Sequence, residues 1–134
     1  MFVLTWKAPK AVPRRLPALP SEPQLLVISI QDLTESDKWL GAIGEAVDKE
    51  KYMKVEAQYK NNNLLVVYAR HELRERISGI EQGSLKFRSY YNAFMSNKSA
   101  NFIRFNLFNS KLVFVGCQLE KGREFTESRI RNLK

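Results

Sequence analysis

The chain has 134 residues, of which 44% are hydrophobic and 27% are charged, values typical of one ordinary globular domain. No run of eighteen or more apolar residues occurs, which excludes a transmembrane helix from the sequence. The first ten residues lack the basic-then-apolar order of a signal peptide. The single cysteine excludes an internal disulfide and suits a reducing compartment. We therefore expect a cytoplasmic protein that is not secreted.

The net charge of +8 is concentrated in the second part of the sequence. Residues 1–81 hold 12 Lys and Arg against 11 Asp and Glu, whereas residues 82–134 hold 10 against 3. A basic surface of this kind attracts partners that carry phosphate or carboxylate groups. It predicts that residues 82–134 contact an acidic protein, a phosphoinositide or a nucleic acid. The alternative is a surface that only keeps the protein soluble.

The sequence begins with a strand pattern and a proline-rich connector. Residues 2–6 are rich in residues that favour strands. All five prolines fall within residues 9–23, which therefore cannot form a regular helix or a central strand. Residues 24–30 are predominantly apolar, which is typical of a strand buried on both faces.

Residues 34–48 predict an amphipathic helix. Thr34 or Ser36 is the expected N-cap, and acidic residues occupy the first turn. The apolar residues spaced for one buried face are Trp39, Leu40, Ile43 and Val47.

Strand patterns dominate the rest of the chain. Residues 52–59 alternate, and residues 64–69 are a second buried strand, which we expect to pair antiparallel with the first across an asparagine turn. Four alternating residues are expected on one side of residues 52–59, namely Met53, Val55, Ala57 and Tyr59. Residues 71–80 contain a short helix pattern, with His71 as a surface residue at its start.

Three further strands are predicted at residues 85–91, 99–108 and 111–116. The chain is thus expected to be an α/β (α+β) protein with a mixed, mostly antiparallel sheet and one or two flanking helices. We treat residues 1–134 as a single partial domain with the connector at 9–23 inside it.

Six short motifs occur in an order that resembles a known family. They are "TWKAP" at 5–9, "IQDL" at 30–33, "KWL" at 38–40, "SNKSANFIRF" at 96–105, "GCQLEKG" at 116–122 and "RIRN" at 129–132. Together they resemble the N-terminal half of an inositol polyphosphate 5-phosphatase catalytic domain, of the endonuclease/exonuclease/phosphatase superfamily. The resemblance implies one half of an αββα sandwich.

The resemblance also implies a reaction centre, and this sequence departs from it at three positions. Lys7 stands where the family has an active-site asparagine, and a lysine repels Mg²⁺. Asp32 stands at the family's metal-binding glutamate and is one methylene shorter, so that it would be a vestigial metal ligand. Gln118 stands at a histidine that contacts the scissile phosphate, and an amide cannot become a cation. We therefore expect no intact catalytic residue and no cofactor, with Mg²⁺ relevant only if activity survives.

Some capacity to bind phosphate is expected to remain. Asn97 and Lys98 match the family's Asn-Lys-Gly turn, although its glycine is Ser99 here. Arg88 belongs to a basic and aromatic cluster that could hold phosphate, with strand aromatics under a basic rim as the alternative.

The motifs of the family's second half do not occur in the 134 residues, so hydrolysis by the family's mechanism is not expected of this chain alone. A single sheet covered by one helix would leave an apolar face in water, and we expect another protein chain or a second copy to cover it.

The leading hypothesis is a catalytically inactive 5-phosphatase-like protein that acts as a structural or binding subunit of a larger assembly. The alternatives are an N-terminal fragment of a Mg-dependent phosphoinositide or inositol phosphate 5-phosphatase, which would be a phosphoric monoester hydrolase, and a basic module for nucleic acid or anionic lipid headgroups.

Overall fold

The structure is a computed structural model, and it describes residues 1–7, 16, 18–60, 62–86 and 99–117. These residues form strands β1 Phe2–Lys7, β2 Leu25–Gln31, β3 Tyr52–Lys60, β4 Asn63–Arg70, β5 Ile77–Lys86, β6 Ser99–Leu107 and β7 Ser110–Cys117. Helix α1, Ser36–Ala46, lies between β2 and β3, and a 3-10 helix, His71–Arg76, lies between β4 and β5. Within the described residues, no helix is long and apolar enough to cross a membrane.

The first sheet has four strands in the order β1-β2-β4-β3. β1 pairs with β2 in parallel, whereas β2–β4 and β4–β3 are antiparallel. The continuous apolar sequences of β2 and β4 occur because both strands are covered on both faces. One face packs against α1 in a core formed by Leu26, Ile28, Ile30, Leu33, Trp39, Ile43, Val47, Leu64, Val66 and Tyr68, among others.

A second sheet covers the other face of the first. It has three antiparallel strands in the order β5-β6-β7. The core between the two sheets includes Leu25, Val27, Leu65, Val67, Ala69, Leu73, Ile103 and Phe105. The mixed, mostly antiparallel α/β class is confirmed. The strands divide between two sheets, however, so the expectation that the helix-free face of a single sheet would be left in water is wrong.

The helix confirms its predicted buried face but not its predicted start. Trp39, Ile43 and Val47 are buried, and Leu40 is partly buried against the same core. The N-cap is Glu35 in a left-handed backbone conformation, and no side chain in the described part of the chain caps the helix. The prediction of Thr34 or Ser36 as N-cap is therefore wrong.

The alternation predicted along β3 is interrupted by a β-bulge. The pairing with β4 shifts register between Lys54 and Glu56. Met53 and Val55 consequently pack between the two sheets, while Ala57 packs on the side of α1. The prediction that alternate residues 53–59 share one side fails because the extra residue at the bulge reverses the faces.

β5 begins earlier than the sequence predicted. Ile77 is the first residue of the strand rather than part of a helix, and the helical segment ends at Arg76. Gly79 has φ +62° within a second irregularity, between Ser78 and Glu81. The glycines made residues 77–84 look unlike a strand, although glycine is frequent at such bulges. Residues 87–91 of the predicted strand lie outside the described residues.

The described end of the proline-rich segment is attached to the first sheet and its helix. Leu19 N–H donates to Ala46 O at 3.0 Å, and Arg70 N–H donates to Gln24 O at 3.0 Å. The Tyr52 hydroxyl also donates to the carbonyl of Pro23. These bonds hold the chain as it enters β2.

Candidate functional site

Two of the predicted site residues, Lys7 and Asp32, lie at one end of the sandwich, where β1 and β2 finish. The parallel register places Lys7 opposite Gln31, the last residue of β2. Asp32 follows Gln31 directly and is exposed. The substituted positions Lys7 and Asp32, 25 places apart in sequence, are therefore on adjacent strand ends.

The loop after β2 is attached to the turn that precedes β4. Asp32 N–H donates to the side-chain oxygen of Asn63 at 3.4 Å, a long bond. Leu33 N–H donates to the Asn62 carbonyl at 2.9 Å. The hydroxyl of Tyr59 lies 3.4 Å from the Leu33 carbonyl and 3.3 Å from Asn62 Oδ1. The position of Asp32 is thus set by the β3–β4 turn as well as by β2.

The backbone at this corner adopts conformations that non-glycine residues rarely use. Asp32 has φ 57°, Glu35 has φ 56° and Asn62 has φ 63°. Left-handed conformations are tolerated by Asn and Asp better than by glutamate. Three of the four described non-glycine residues with positive φ therefore lie in or beside the candidate site.

A buried polar group lies behind this surface, between the two sheets. Ser29, Asn63 and Asn101 are the buried polar residues among those described. The Asn101 side-chain N–H donates to the Asn63 carbonyl at 2.7 Å, which ties the start of β6 to the start of β4. Asn101 is 1% exposed, and its Oδ1 has no hydrogen-bond partner among the described residues. Sequence reasoning missed this group, although asparagines next to apolar strand residues were a visible signal.

Gly116 brings the end of β7 to the same corner. A Cβ atom at position 116 would lie 2.6 Å from Ser29 Oγ and 3.6 Å from Leu65 Cδ1. Glycine is required because a side chain would overlap β2. The last pair of β7 joins Cys117 to Ala100 at the start of β6. The ends of β1, β2 and β7 and the starts of β4 and β6 therefore meet at one end of the sandwich.

The other predicted site residues, Arg88, Asn97, Lys98 and Gln118, lie outside the described residues. His71 is exposed, starts the 3-10 helix and lies 3.0 Å from the Lys49 carbonyl through Nε2, as a surface role predicts.

The carboxylate expected to bind magnesium at this corner, among the described residues, is that of Asp32. No group of three His, Cys, Asp or Glu side chains within the described ranges could hold a metal ion. Magnesium in proteins requires near-octahedral oxygen coordination that usually includes carboxylates. Asp32 is the predicted carboxylate ligand, and a lysine ends the neighbouring strand.

Comparison with solved structures identifies the fold. The inositol polyphosphate 5-phosphatase domain of SPsynaptojanin, crystallised with inositol (1,4)-bisphosphate and calcium, matches with a TM-score of 0.69 at 15% identity over 97% of this chain. A point mutant of Cimex nitrophorin, as a ferrous NO complex, matches with 0.57 at 9% identity over 79%. Humanized D. rerio TDP2 matches with 0.50 at 13% identity over 80%. At these identities the matches establish the fold alone. The chain spans 44%, 43% and 43% of those three structures.

The chain shares the fold of that inositol polyphosphate 5-phosphatase domain, as the motifs predicted. The chain belongs to Endonuclease/Exonuclease/phosphatase family 2, whose family model matches residues 19–134. No curated protein sequence matches the chain.

Proposed function

We propose that this chain is a catalytically inactive 5-phosphatase-like protein that works as a binding or structural subunit. The observation that carries the proposal is the β1–β2 register, which puts Lys7 opposite Gln31, the residue that precedes Asp32. A lysine at this register position adds positive charge to the end of the sheet that carries the predicted carboxylate ligand, and added positive charge disfavours binding of a divalent cation. The arrangement supports loss of the metal-dependent reaction.

The backbone hydrogen bonds around Asp32 also hold it in place, so that the loop does not move forward to make up for the shorter side chain. Its backbone is tied to Asn63 and its neighbour Leu33 to Asn62. Since both ties fix the backbone, the loop would need to break them to advance the carboxylate by one methylene. A pocket shaped for glutamate would then hold an ion poorly.

The fold by itself does not indicate hydrolysis. The same architecture occurs in Cimex nitrophorin, whose structure is that of a ferrous NO complex. Folds host unrelated functions, and the residues at the site decide which one applies. At this site Lys7, Asp32 and, in sequence, Gln118 all differ from the phosphatase motifs.

The subunit role is supported by uncovered apolar surface on the second sheet. Val113 and Val115 are exposed on the outer face of β7. Exposed strand edges with apolar side chains are sites of pairing with other chains.

Phosphate release tests the proposal directly. Purified protein is incubated with Mg²⁺ and either inositol 1,4,5-trisphosphate or its lipid counterpart, and we expect release at the level of buffer. Release clearly above buffer that disappears in Asp32→Ala would contradict the proposal. The matched comparison is a variant that restores the family residues, namely Lys7→Asn with Asp32→Glu and Gln118→His. It measures how much phosphate release the rest of the chain can support.

A second candidate is an N-terminal part of a Mg-dependent 5-phosphatase whose other half lies elsewhere. The coverage of less than half of each matched structure favours it. Intact-mass measurement of the native protein tests this candidate, since a mass well above 15.6 kDa supports it. A mass equal to that of the chain contradicts a covalently attached second half.

A further inference from the structure

Exposed apolar side chains mark two edge strands of this molecule. Val3 on β1 is 56% exposed, and Val113 and Val115 on β7 are 53% and 57% exposed. In the part of the chain that the structure describes, β1 is one edge of the first sheet and β7 is one edge of the second.

The two edges are offset by one strand. β7 lies over β2 and β4, and Gly116 reaches Ser29 on β2. β1 stands one strand further out, about 4.8 Å beyond β2. Val3 is paired with Val27, which is 4% exposed, so the same face is covered at β2 and open at β1. On this side of the sandwich the first sheet therefore extends one strand beyond the second. We call this offset the step: β1 is its lower edge, in the first sheet, and β7 is its upper edge, in the second sheet.

Both edges run in the same direction. β1 is parallel to β2, and β7 reaches the end of β2 at its own end, where Gly116 meets Ser29. β1 and β7 therefore both end near the candidate site, and a strand that pairs with either edge lies along a strand that leads to that site.

The step decides which twofold arrangement of two copies is possible. If β7 paired with β7 of a second copy, β2 of that copy would occupy the place of β1 and the two would collide. If β1 paired with β1 of a second copy, a gap two strands wide would remain between β7 of one copy and β7 of the other. A twofold axis that runs along the strands, midway between the sheets, brings β1 to β7 of the other copy at both edges without overlap. Closed twofold dimers with self-complementary interfaces are the commonest oligomers.

We propose that two copies of this chain close each other's sandwich by pairing β1 of each copy, in parallel, with β7 of the other. Each extended sheet then has seven strands, four from one copy and three from the other. Val3 is covered by the inward-facing residues Leu112 and Phe114 of the second copy, which are themselves partly buried. Val113 and Val115 come beside Phe2 and Leu4, which already pack against the helix-side core.

The size of related structures agrees with this arrangement. The chain spans 43–45% of the SPsynaptojanin, Cimex nitrophorin and TDP2 chains, so the fold accommodates about one further unit of this size. The inference deepens the proposed binding role by naming the partner, and it places both candidate sites at the same end of the dimer. Oligomeric state is measured without substrate, so its outcome is separate from that of phosphate release.

The first test is the mass of the full chain in solution at micromolar concentration, by light scattering or sedimentation. We expect twice the 15.6 kDa of the chain. Val3→Lys and Val115→Asp should each weaken the dimer at least about tenfold, because each buries an unpaired charge. Ile80→Asp, at an exposed position on β5, is the matched control and should leave the mass unchanged. Circular dichroism verifies that all three variants fold.

Mixing the two weakened variants distinguishes this geometry from others. A mixed dimer of Val3→Lys with Val115→Asp contains one contact with both substitutions and one contact with neither, so that one of its two strand pairings is intact. We expect the mixture to recover dimer that neither variant forms alone. A monomeric wild-type chain, a dimer insensitive to both substitutions, or a mixture without recovery would overturn the proposal. A stable complex with a different protein that is lost in both variants, beside a monomeric chain alone, would assign the step to that protein instead.

Discussion

The two sheets of this molecule are built from similar residues but are covered differently. β2 and β4 of the first sheet lie between α1 and the second sheet, and nearly every residue in them is buried. β6 and β7 of the second sheet alternate, with inward residues such as Ile103 buried and outward residues such as Val113 exposed. The difference shows that the central strands of the first sheet are covered on both faces, whereas the second sheet has one face exposed to solvent.

The largest effect is expected where the helix covers the first sheet. Trp39→Ala removes a fully buried aromatic side chain and should lower the free energy of unfolding by about 3–5 kcal/mol. Ile80→Ala on β5 removes an exposed side chain and should cost less than about 0.5 kcal/mol. Urea denaturation of both variants measures the two losses in the free energy of unfolding. Equal losses would contradict the difference in burial between the first sheet and the second.

The next effect is expected where the two sheets meet. In Gly116→Ala the new methyl group would lie 2.6 Å from Ser29 Oγ, and relieving that overlap should cost about 1–3 kcal/mol. Adding Ser29→Ala removes the overlapping oxygen and should restore part of the loss. A double variant whose loss equals the sum of the single losses would show that the sheets do not touch at this point.

A smaller effect distinguishes the outer face of the second sheet from the helix. At Gly83 an added Cβ would lie 2.8 Å from the ring of Phe102, so Gly83→Ala should destabilise the protein by about 1 kcal/mol. At Gly41, within α1, nothing lies within 4 Å, and Gly41→Ala should stabilise the protein by about 0.5–1 kcal/mol. Thermal denaturation gives both signs, and the same sign for both would contradict the packing of Phe102 over Gly83.

The smallest effect is a pH dependence that arises in the first sheet. Burial raises the pKa of Tyr68 above its ordinary value of 10.0. The unfolded chain then loses this proton at a lower pH than the folded chain, so the contribution of Tyr68 is complete below pH 10.0 and falls as the pH rises through the folded pKa. Tyr68→Phe should flatten the stability profile above that pH. An unchanged profile would mean that Tyr68 does not carry the dependence.

The sequence predicted the buried strands of the first sheet and the helix that covers them better than it predicted the irregular strands. Continuous apolar runs identified β2 and β4, and helical spacing identified the buried face of α1, because both signals report burial directly. The bulge at Lys54–Glu56 and the start of β5 at Ile77 were not predictable from periodicity, since a bulge inserts one residue without changing composition.

The sequence indicated which individual residues belong to the candidate site, but it did not predict how they are arranged in space. Motif order located Lys7 and Asp32, and the structure sets them on adjacent strand ends. The link from Asn101 to Asn63 was missed because it joins residues 38 apart, and no local pattern reports such a contact.

Three left-handed backbone conformations at Asp32, Glu35 and Asn62 concentrate conformational energy at a single corner of the protein. Each costs on the order of 1 kcal/mol relative to glycine, least at asparagine and aspartate, and glycine would remove that cost. Glycine at these positions would be favoured by the backbone alone, so the contacts of the surrounding sheets maintain a conformation that the residues themselves disfavour. The surface at that end of the protein therefore has a shape that is maintained at the expense of stability.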